Sequence, residues 1–169
     1  MKKELDEALC KDFPLIFRNR HTPRTLMCWG FDCNNGWEPI IRTLCESFMS
    51  KVYSLEEDVS MYERWLDTDL DVIKKESIQK KLEDTKAKLE EAKDQVPVAV
   101  QIKEKFATLR FYTNYQDDYV HGVIRMAESM SACTCENCGK PGKLCNKNYW
   151  LKTLCTSCAR KFKFKDNKK

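Results

Sequence analysis

Two matched pairs of cysteines near the C-terminal end carry the most specific chemistry in the sequence. Cys135 and Cys138 form one Cys-x-x-Cys pair, and Cys155 and Cys158 form a second pair after 16 intervening residues. Each pair can supply two thiolates from one tight turn, and this spacing is typical of a tetrahedral Zn2+ site. Because four sulfur ligands close the coordination sphere, such an ion has no position for a reacting water. The pattern therefore predicts one structural Zn2+ ion per chain.

Other interpretations of the cysteines stay open at the sequence level. The four predicted ligands could instead be reduced core thiols or a redox pair. Cys133 and Cys145 lie near them but have no matching partners, so we interpret these two as spare thiols. Cys28 and Cys33, with His21 nearby, could begin a second metal site, but they lack a fourth ligand. We expect both to be buried free thiols.

The composition is that of a folded protein. The chain has 169 residues, of which 42% are hydrophobic, so it can bury a core. Residues 1–7 lack the apolar stretch of a signal peptide, and we therefore expect a reducing cytoplasm in which the cysteines stay free. No run reaches the roughly 18 uncharged apolar residues of a membrane span, so we expect no membrane partner. The net charge of +4 is weak evidence for a nucleic-acid partner, because four thiolates and one Zn2+ together contribute about −2.

Apolar residues at helical spacing predict long helices in the first half of the chain. They recur in steps of three and four between residues 37 and 48. The stretch Ser54-Leu55-Glu56-Glu57 has the pattern of a capping box, which predicts that a new helix begins there. A break is expected at Asp67-Thr68-Asp69, and Pro97 ends the pattern. We interpret residues 54–96 as two antiparallel helices, with one long bent helix as the alternative.

After the helical region the hydrophobic period falls to two, which is typical of strands. The alternation predicts a β-hairpin between residues 98 and 112 with a turn near Ala107. Residues 120–130 return to helical spacing and predict an amphipathic helix that leads into the zinc segment. Within that segment we expect a short hairpin in residues 142–154 and a helix near residues 159–164.

These elements add up to an α+β fold class. We predict a small mixed body of helices and a hairpin, formed by residues 1–53 and 97–132. Residues 54–96 are inserted into it as an antiparallel helical hairpin. Residues 133–169 form a four-cysteine zinc-binding module of the zinc-ribbon or treble-clef type, and its tail is basic.

The sequence shows no catalytic pattern. His21 and His121 are its two histidines, which removes most Ser-His and Cys-His schemes for a nucleophile. His121, Arg125 and Glu128 share a helical face opposite the apolar stripe, which is most simply solvated surface. Neither a Gly-rich phosphate loop nor a metal-hydrolase signature occurs. We therefore predict a binding protein and not an enzyme.

Three stretches of the sequence are distinctive: Cys33-Asn34-Asn35-Gly36-Trp37, Val100 through Tyr112, and Cys135 through Cys158. Together they resemble an uncharacterised family of small phage and prophage proteins. The resemblance implies a zinc-ribbon or treble-clef-like module, the cytoplasm of a bacterial host cell, and an insertion at residues 54–96. An aspartate is usual in that family at the position of Asn35, and a glycine at the position of Ala107. The resemblance implies no particular activity.

The favoured hypothesis is a non-enzymatic phage accessory protein that acts in host takeover or counter-defence. Such a protein would bind a host protein, and the helical hairpin offers a surface for this partner or for a second copy of the chain. Alternatively, the protein would sequester a phosphorylated small molecule such as a nucleotide signal near the helix start at Asn35. The candidate residues for that ligand are Arg18, Arg20, Arg24, Arg110 and Tyr112.

The alternative hypothesis is a nucleic-acid-binding zinc protein that regulates transcription or replication. In this case the lysines of the basic tail would meet phosphates, and an aromatic side chain would stack on a base. The residues concerned are Lys161, Lys163, Lys165 and Trp150, with Lys168 and Lys169 beyond them.

Overall fold

The computed structural model describes residues 1–68 and 71–166 of the chain. Some of the predicted features lie outside these ranges. They are Asp69 of the expected helix break and Lys168 and Lys169 of the basic tail.

The described residues form five helices and five strands, which confirms the predicted α+β class. Short 3-10 turns at Leu26–Trp29 and Asn35–Trp37 precede the second helix. The helices are α1 (Lys3–Asp12), α2 (Glu38–Leu66), α3 (Val72–Asp94), α4 (Asp118–Ser131) and α5 (Thr156–Phe162). The strands are β1 (Ala99–Lys105), β2 (Thr108–Thr113), β3 (Lys143–Lys147), β4 (Trp150–Leu154) and β5 (Lys165–Asp166).

The predicted helix start at Ser54 is wrong, because α2 runs without interruption from Glu38 to Leu66. Between Pro39 and Pro97 the sequence contains neither glycine nor proline, so no residue stops the helix before or at Ser54. A capping box needs the chain to enter the helix at its serine. In mid-helix Ser54, Glu56 and Glu57 are exposed and Leu55 is half-buried.

The chain divides into two compact units, Met1–Ser47 with Pro97–Lys169 and Phe48–Val96. The second unit holds the C-terminal part of α2 together with α3. Glu63 pairs with Lys86 at 2.7 Å, and Lys51 donates to Gln95 at 3.4 Å, so the two helices run antiparallel as predicted. Four residues of α3 are buried at helical spacing: Leu82, Thr85, Leu89 and Ala92.

In the first unit, β1 and β2 form the expected antiparallel hairpin, and α4 packs against β2. The two-residue turn has positive φ at both Phe106 (52°) and Ala107 (66°), as a tight hairpin turn requires. The predicted turn near Ala107 is therefore confirmed. The hydroxyl of Ser131 in α4 accepts a hydrogen bond from the Leu109 backbone at 2.8 Å and joins helix to hairpin. The core of this unit includes Ile16, Met27, Trp37, Ile41, Ile102, Leu109 and Phe111, which are all nearly inaccessible.

The C-terminal module, which we define as residues 133–166, contains a small sheet in the order β4-β3-β5. Strands β3 and β4 form the expected hairpin, and their turn has positive φ at Asn148 and Tyr149. The following helix, α5, begins at Thr156, a few residues before the predicted position. The module thus runs in the order of a cysteine turn, a hairpin and a helix.

None of the helices in the described part of the chain combines the length and the apolar character needed to cross a membrane.

The helical hairpin should be separable from the remainder of the protein. Lys51 and Gln95 lie in hydrogen-bond contact, so the ends left by removing residues 54–96 are close enough for a short Gly/Ser linker. We expect the shortened protein to fold and to keep its metal. Far-ultraviolet circular dichroism and elemental analysis test this, and an unfolded or metal-free product would contradict it.

Candidate metal centre

The four predicted ligands meet at one point of the C-terminal module. Cys135 and Cys138 lie in the turn that follows α4, Cys155 precedes α5, and Cys158 lies in its first turn. All four sulfur atoms lie within 4.8 Å of one another. The Sγ of Cys138 is 3.6 Å from the Sγ atoms of both Cys155 and Cys158. A tetrahedral site with Zn–S bonds of about 2.3 Å has S–S edges of about 3.8 Å, so the cluster is positioned for a metal ion.

Polar groups around the cluster face its sulfur atoms. The Ser157 hydroxyl lies 3.1 Å from the Sγ of Cys155, and the side-chain amide of Asn137 donates to the Sγ of Cys158 at 3.3 Å. The contact with Ser157 lowers the pKa of Cys155 to about 6. Burial and the adjacent thiols raise the pKa of Cys158 to about 12. Neighbouring thiolates repel one another, and a divalent cation removes that repulsion.

Backbone hydrogen bonds shape the turn that carries the first cysteine pair. The amide of Gly139 donates to the carbonyl of Cys135 at 2.9 Å, and the amide of Cys135 donates to the carbonyl of Lys140 at 2.8 Å. Gly139 has a φ of 77°, which a residue without a β-carbon adopts readily. These hydrogen bonds define the turn from which both sulfurs of the pair reach the cluster.

Residues 34–37, in the first half of the chain, contact this turn directly. The amide of Gly36 donates to the carbonyl of Glu136 at 2.7 Å. A β-carbon at Gly36 would lie only 2.2 Å from the Cys135 carbonyl oxygen and 2.6 Å from the Cys138 nitrogen. The indole of the fully buried Trp37 donates to the carbonyl of Thr134 at 2.9 Å. The distinctive Asn-Asn-Gly-Trp stretch is thus a backbone-to-backbone docking site for the cysteine turn.

The buried carboxylate of Glu136 stabilises the same contact, a role that the sequence did not predict. This side chain is 1% exposed. One carboxylate oxygen accepts hydrogen bonds from the Asn34 backbone and side chain at 3.2 and 3.0 Å, and the other pairs with Lys152 at 2.6 Å. Glu136 thus links the cysteine turn to two other segments, the N-terminal half through Asn34 and β4 through Lys152. No local pattern marks Glu136, since an acidic residue between two cysteines is ordinarily exposed.

The other cysteines do not join the cluster, and among the described residues no second group of metal-ligating side chains forms. Cys133 is exposed, whereas Cys145 is buried and donates to the Lys143 carbonyl at 3.4 Å. Cys33 is buried as expected, but Cys28 is exposed. The predicted burial of Cys28 is therefore wrong, because the 3-10 turn at Leu26–Trp29 directs Met27 inward and leaves its neighbours at the surface.

The residues proposed for a phosphorylated ligand have separate contacts. Arg20 forms an ion pair with Asp6 at 2.9 Å, Arg110 lies 3.8 Å from Glu128, and Arg18 donates to the Leu15 carbonyl. Arg24 and Tyr112 are exposed. Three of the five residues thus contact different partners, and the site for a phosphorylated ligand stays a prediction.

The residues proposed for nucleic acid lie on the surface of the C-terminal module. Lys161, Lys163 and Lys165 are exposed, and Trp150 is 60% exposed at the start of β4. The Trp150 ring packs edge-on against Phe164 with a centroid separation of 6.2 Å.

The chain matches no family model, no curated protein and no solved structure. The resemblance to small phage and prophage proteins accordingly stays a prediction.

Elemental analysis should find one zinc ion per chain. We expect Cys135→Ser or Cys158→Ser to abolish zinc retention and to unfold the C-terminal module, because a structural zinc site contributes on the order of 10 kcal/mol to folding. Cys133→Ser changes an exposed thiol outside the cluster and should keep the metal. Zinc-free wild-type protein, or full retention in both ligand variants, would show that the cluster binds no zinc.

Gly36→Ala should destabilise the protein strongly, because the added carbon has no space between the backbones of Gly36 and Cys135. The matched control is Gly122→Ala in α4, where a β-carbon meets nothing within 4 Å. This control should raise stability by up to about 1 kcal/mol, since alanine is the better helix former. Urea denaturation compares the two, and equal midpoints would contradict the predicted close contact.

Proposed function

We propose that this chain is a non-enzymatic, zinc-stabilised protein that binds single-stranded nucleic acid through its C-terminal module. One observation carries the proposal. At the turn between β3 and β4, Tyr149 is 97% exposed and Trp150 is 60% exposed. Lys147 and Lys152 line the same cleft as Trp150, and the Nζ atom of Lys152 lies 5.6 Å from the centroid of its ring. Exposed aromatic rings beside a basic surface are the usual means of binding unpaired bases and their phosphates.

The charge distribution of the module supports this partner. Its carboxylates are both paired, Glu136 with Lys152 and Asp166 with Lys143, so neither repels a phosphate freely. Four thiolates and one Zn2+ would contribute about −2, but three of the four cysteines are buried, whereas the basic groups lie at the surface. The exposed basic residues are Lys140, Lys143, Lys147, Arg160, Lys161, Lys163 and Lys165.

A single strand suits this surface better than a duplex does. Reading a duplex usually requires a helix or a two-stranded ribbon that fits the major groove. The helix of the module, Thr156–Phe162, is short, and its first turn holds Cys158 of the metal cluster. The aromatic rings at the tip of the hairpin would have no partner in a stacked duplex, whereas they can stack on unpaired bases.

A zinc ion held by four cysteines has a closed coordination sphere, which supports a structural and not a catalytic role. The hypotheses of a host protein bound by the helical hairpin and of a phage setting stay predictions. So does self-association through the hairpin.

The salt dependence of binding tests the proposed function. For a fluorescent single-stranded oligonucleotide, log affinity should fall linearly with log salt, by about 0.7 for each phosphate contact. Reversing three charges at Lys161, Lys163 and Lys165 to glutamate should weaken binding and reduce that slope by about 2. Fluorescence anisotropy measures both quantities.

The matched control reverses the same number of charges on the helical hairpin, at the exposed residues Lys80, Lys81 and Lys88. This variant has the same net charge, and we expect its slope to equal that of the wild type. Equal effects of the two triple variants would indicate attraction by net charge alone. The absence of salt-dependent binding in the wild type would contradict the proposal itself.

A further inference from the structure

A cleft of about 410 Å3 lies beside the metal centre, in the first of the two compact units. Its size falls within the range of small-ligand sites. Aromatic rings, amides and the two lysines Lys147 and Lys152 line it together, which is the mixture needed to hold a flat, polar ring that carries a phosphate. These lining residues include Asn34, Asn137, Lys147, Trp150, Phe162 and Phe164.

We propose that this cleft takes a single nucleobase, which stacks against Trp150, while Lys147 meets the adjoining phosphate. This inference rests on the proposed function and deepens it, because it assigns the base-binding step to one site. The nucleobase belongs to a single strand that crosses the module. A free nucleotide presents the same chemistry and is distinguished by the experiment below.

The walls of the cleft hold the indole ring of Trp150 in place. Phe164 contacts it edge-on, and the Nζ atom of Lys152 lies 5.6 Å from the ring centroid. Lys152 is itself held by the buried carboxylate of Glu136 at 2.6 Å. A ring fixed in this way loses little conformational freedom when a base stacks on it, which favours binding.

Lys147 is placed to bind a phosphate. Its Nζ atom lies 5.7 Å from the centroid of the Phe164 ring and donates to the carbonyl of Phe162 at 3.1 Å. The side chain is exposed and forms no described ion pair with a carboxylate. Its positive charge is therefore available to an anion at the mouth of the cleft.

The two amides of the cleft are anchored to the metal centre. Asn137 donates to the Sγ of Cys158, and Asn34 donates to the carboxylate of Glu136. Both side chains are thereby fixed by groups of the cysteine turn and its surroundings. A zinc ion held by the four cysteines would stabilise the wall that the base faces, and the metal would thereby be coupled to ligand binding.

Tryptophan fluorescence of the zinc-loaded full-length chain tests the cleft directly. Trp37 is fully buried, so the Trp29→Phe/Trp65→Phe variant leaves Trp150 as its one exposed indole. Short oligodeoxyadenosine should quench the emission of this variant. Adenosine monophosphate should quench it as well, at higher concentration, because it offers no neighbouring phosphates to the other lysines.

Substitution supplies the second measurement. Trp150→Ala should weaken oligonucleotide binding roughly 10-fold, which corresponds to the loss of one stacked base. Trp150→Phe keeps an aromatic ring and should retain most of the affinity. Trp29→Ala removes a still more exposed indole outside the cleft and should leave the affinity unchanged. Zinc content and circular dichroism report whether each variant is folded. If Trp150→Ala does not fold, the quenching of Trp150 by the oligonucleotide tests by itself whether a base stacks in the cleft.

The outcomes separate the cleft from the proposed function. Salt-dependent strand binding without quenching, and without an effect of Trp150→Ala, would overturn the cleft and leave the function standing. The absence of any strand binding would overturn the function. If adenosine monophosphate still quenched Trp150 in that case, the cleft would stand as a site for a free nucleotide.

Discussion

The first compact unit consists of two chain segments, Met1–Ser47 and Pro97–Lys169. They are joined where the backbone of Gly36 closely approaches the first cysteine pair. A hydrogen bond from Gly36 to the carbonyl of Glu136 and another from Trp37 to the carbonyl of Thr134 form this contact. The groups involved are mainly backbone atoms, so their positions depend on the exact path of both segments. The path of the cysteine turn depends in turn on the sulfur cluster, since Cys135 belongs to both. The metal centre and the start of α2 therefore determine each other's geometry.

The C-terminal module has only a small core of its own, which a bound metal ion would supplement. Its buried cluster consists of Cys135, Cys145, Leu154, Cys155, Cys158 and Ala159, with Phe164 packed against it. Three of these are ligands and contribute little apolar surface. So small a core releases little free energy on burial compared with the entropy of ordering the chain. Bonds between a metal ion and the four sulfurs would supply the remainder.

The ion pair between buried Glu136 and half-buried Lys152 is weak evidence for net stability. Removing a carboxylate and an ammonium group from water is costly, and their mutual attraction offsets that cost only when the geometry is good. Here the carboxylate also accepts two hydrogen bonds from Asn34, which complete its shell of donors. The arrangement fixes one position of β4 relative to the cysteine turn. It thereby sets the orientation of Trp150 at the start of that strand.

The sequence by itself determined the elements that follow from local chemistry. The spacing of the cysteines predicted the sulfur cluster, and the change of period after Pro97 predicted the hairpin with its turn near Ala107.

The tertiary structure alone decided the remainder. Ser54 follows the rule for a helix start, yet it lies within α2 because helix continuation depends on the whole segment and not on one local motif. The role of Glu136 was likewise hidden, because its partners Asn34 and Lys152 are distant in sequence and meet only when the cysteine turn docks on Gly36. Contacts between distant segments leave no periodic signal in a sequence, so only the folded chain reveals them.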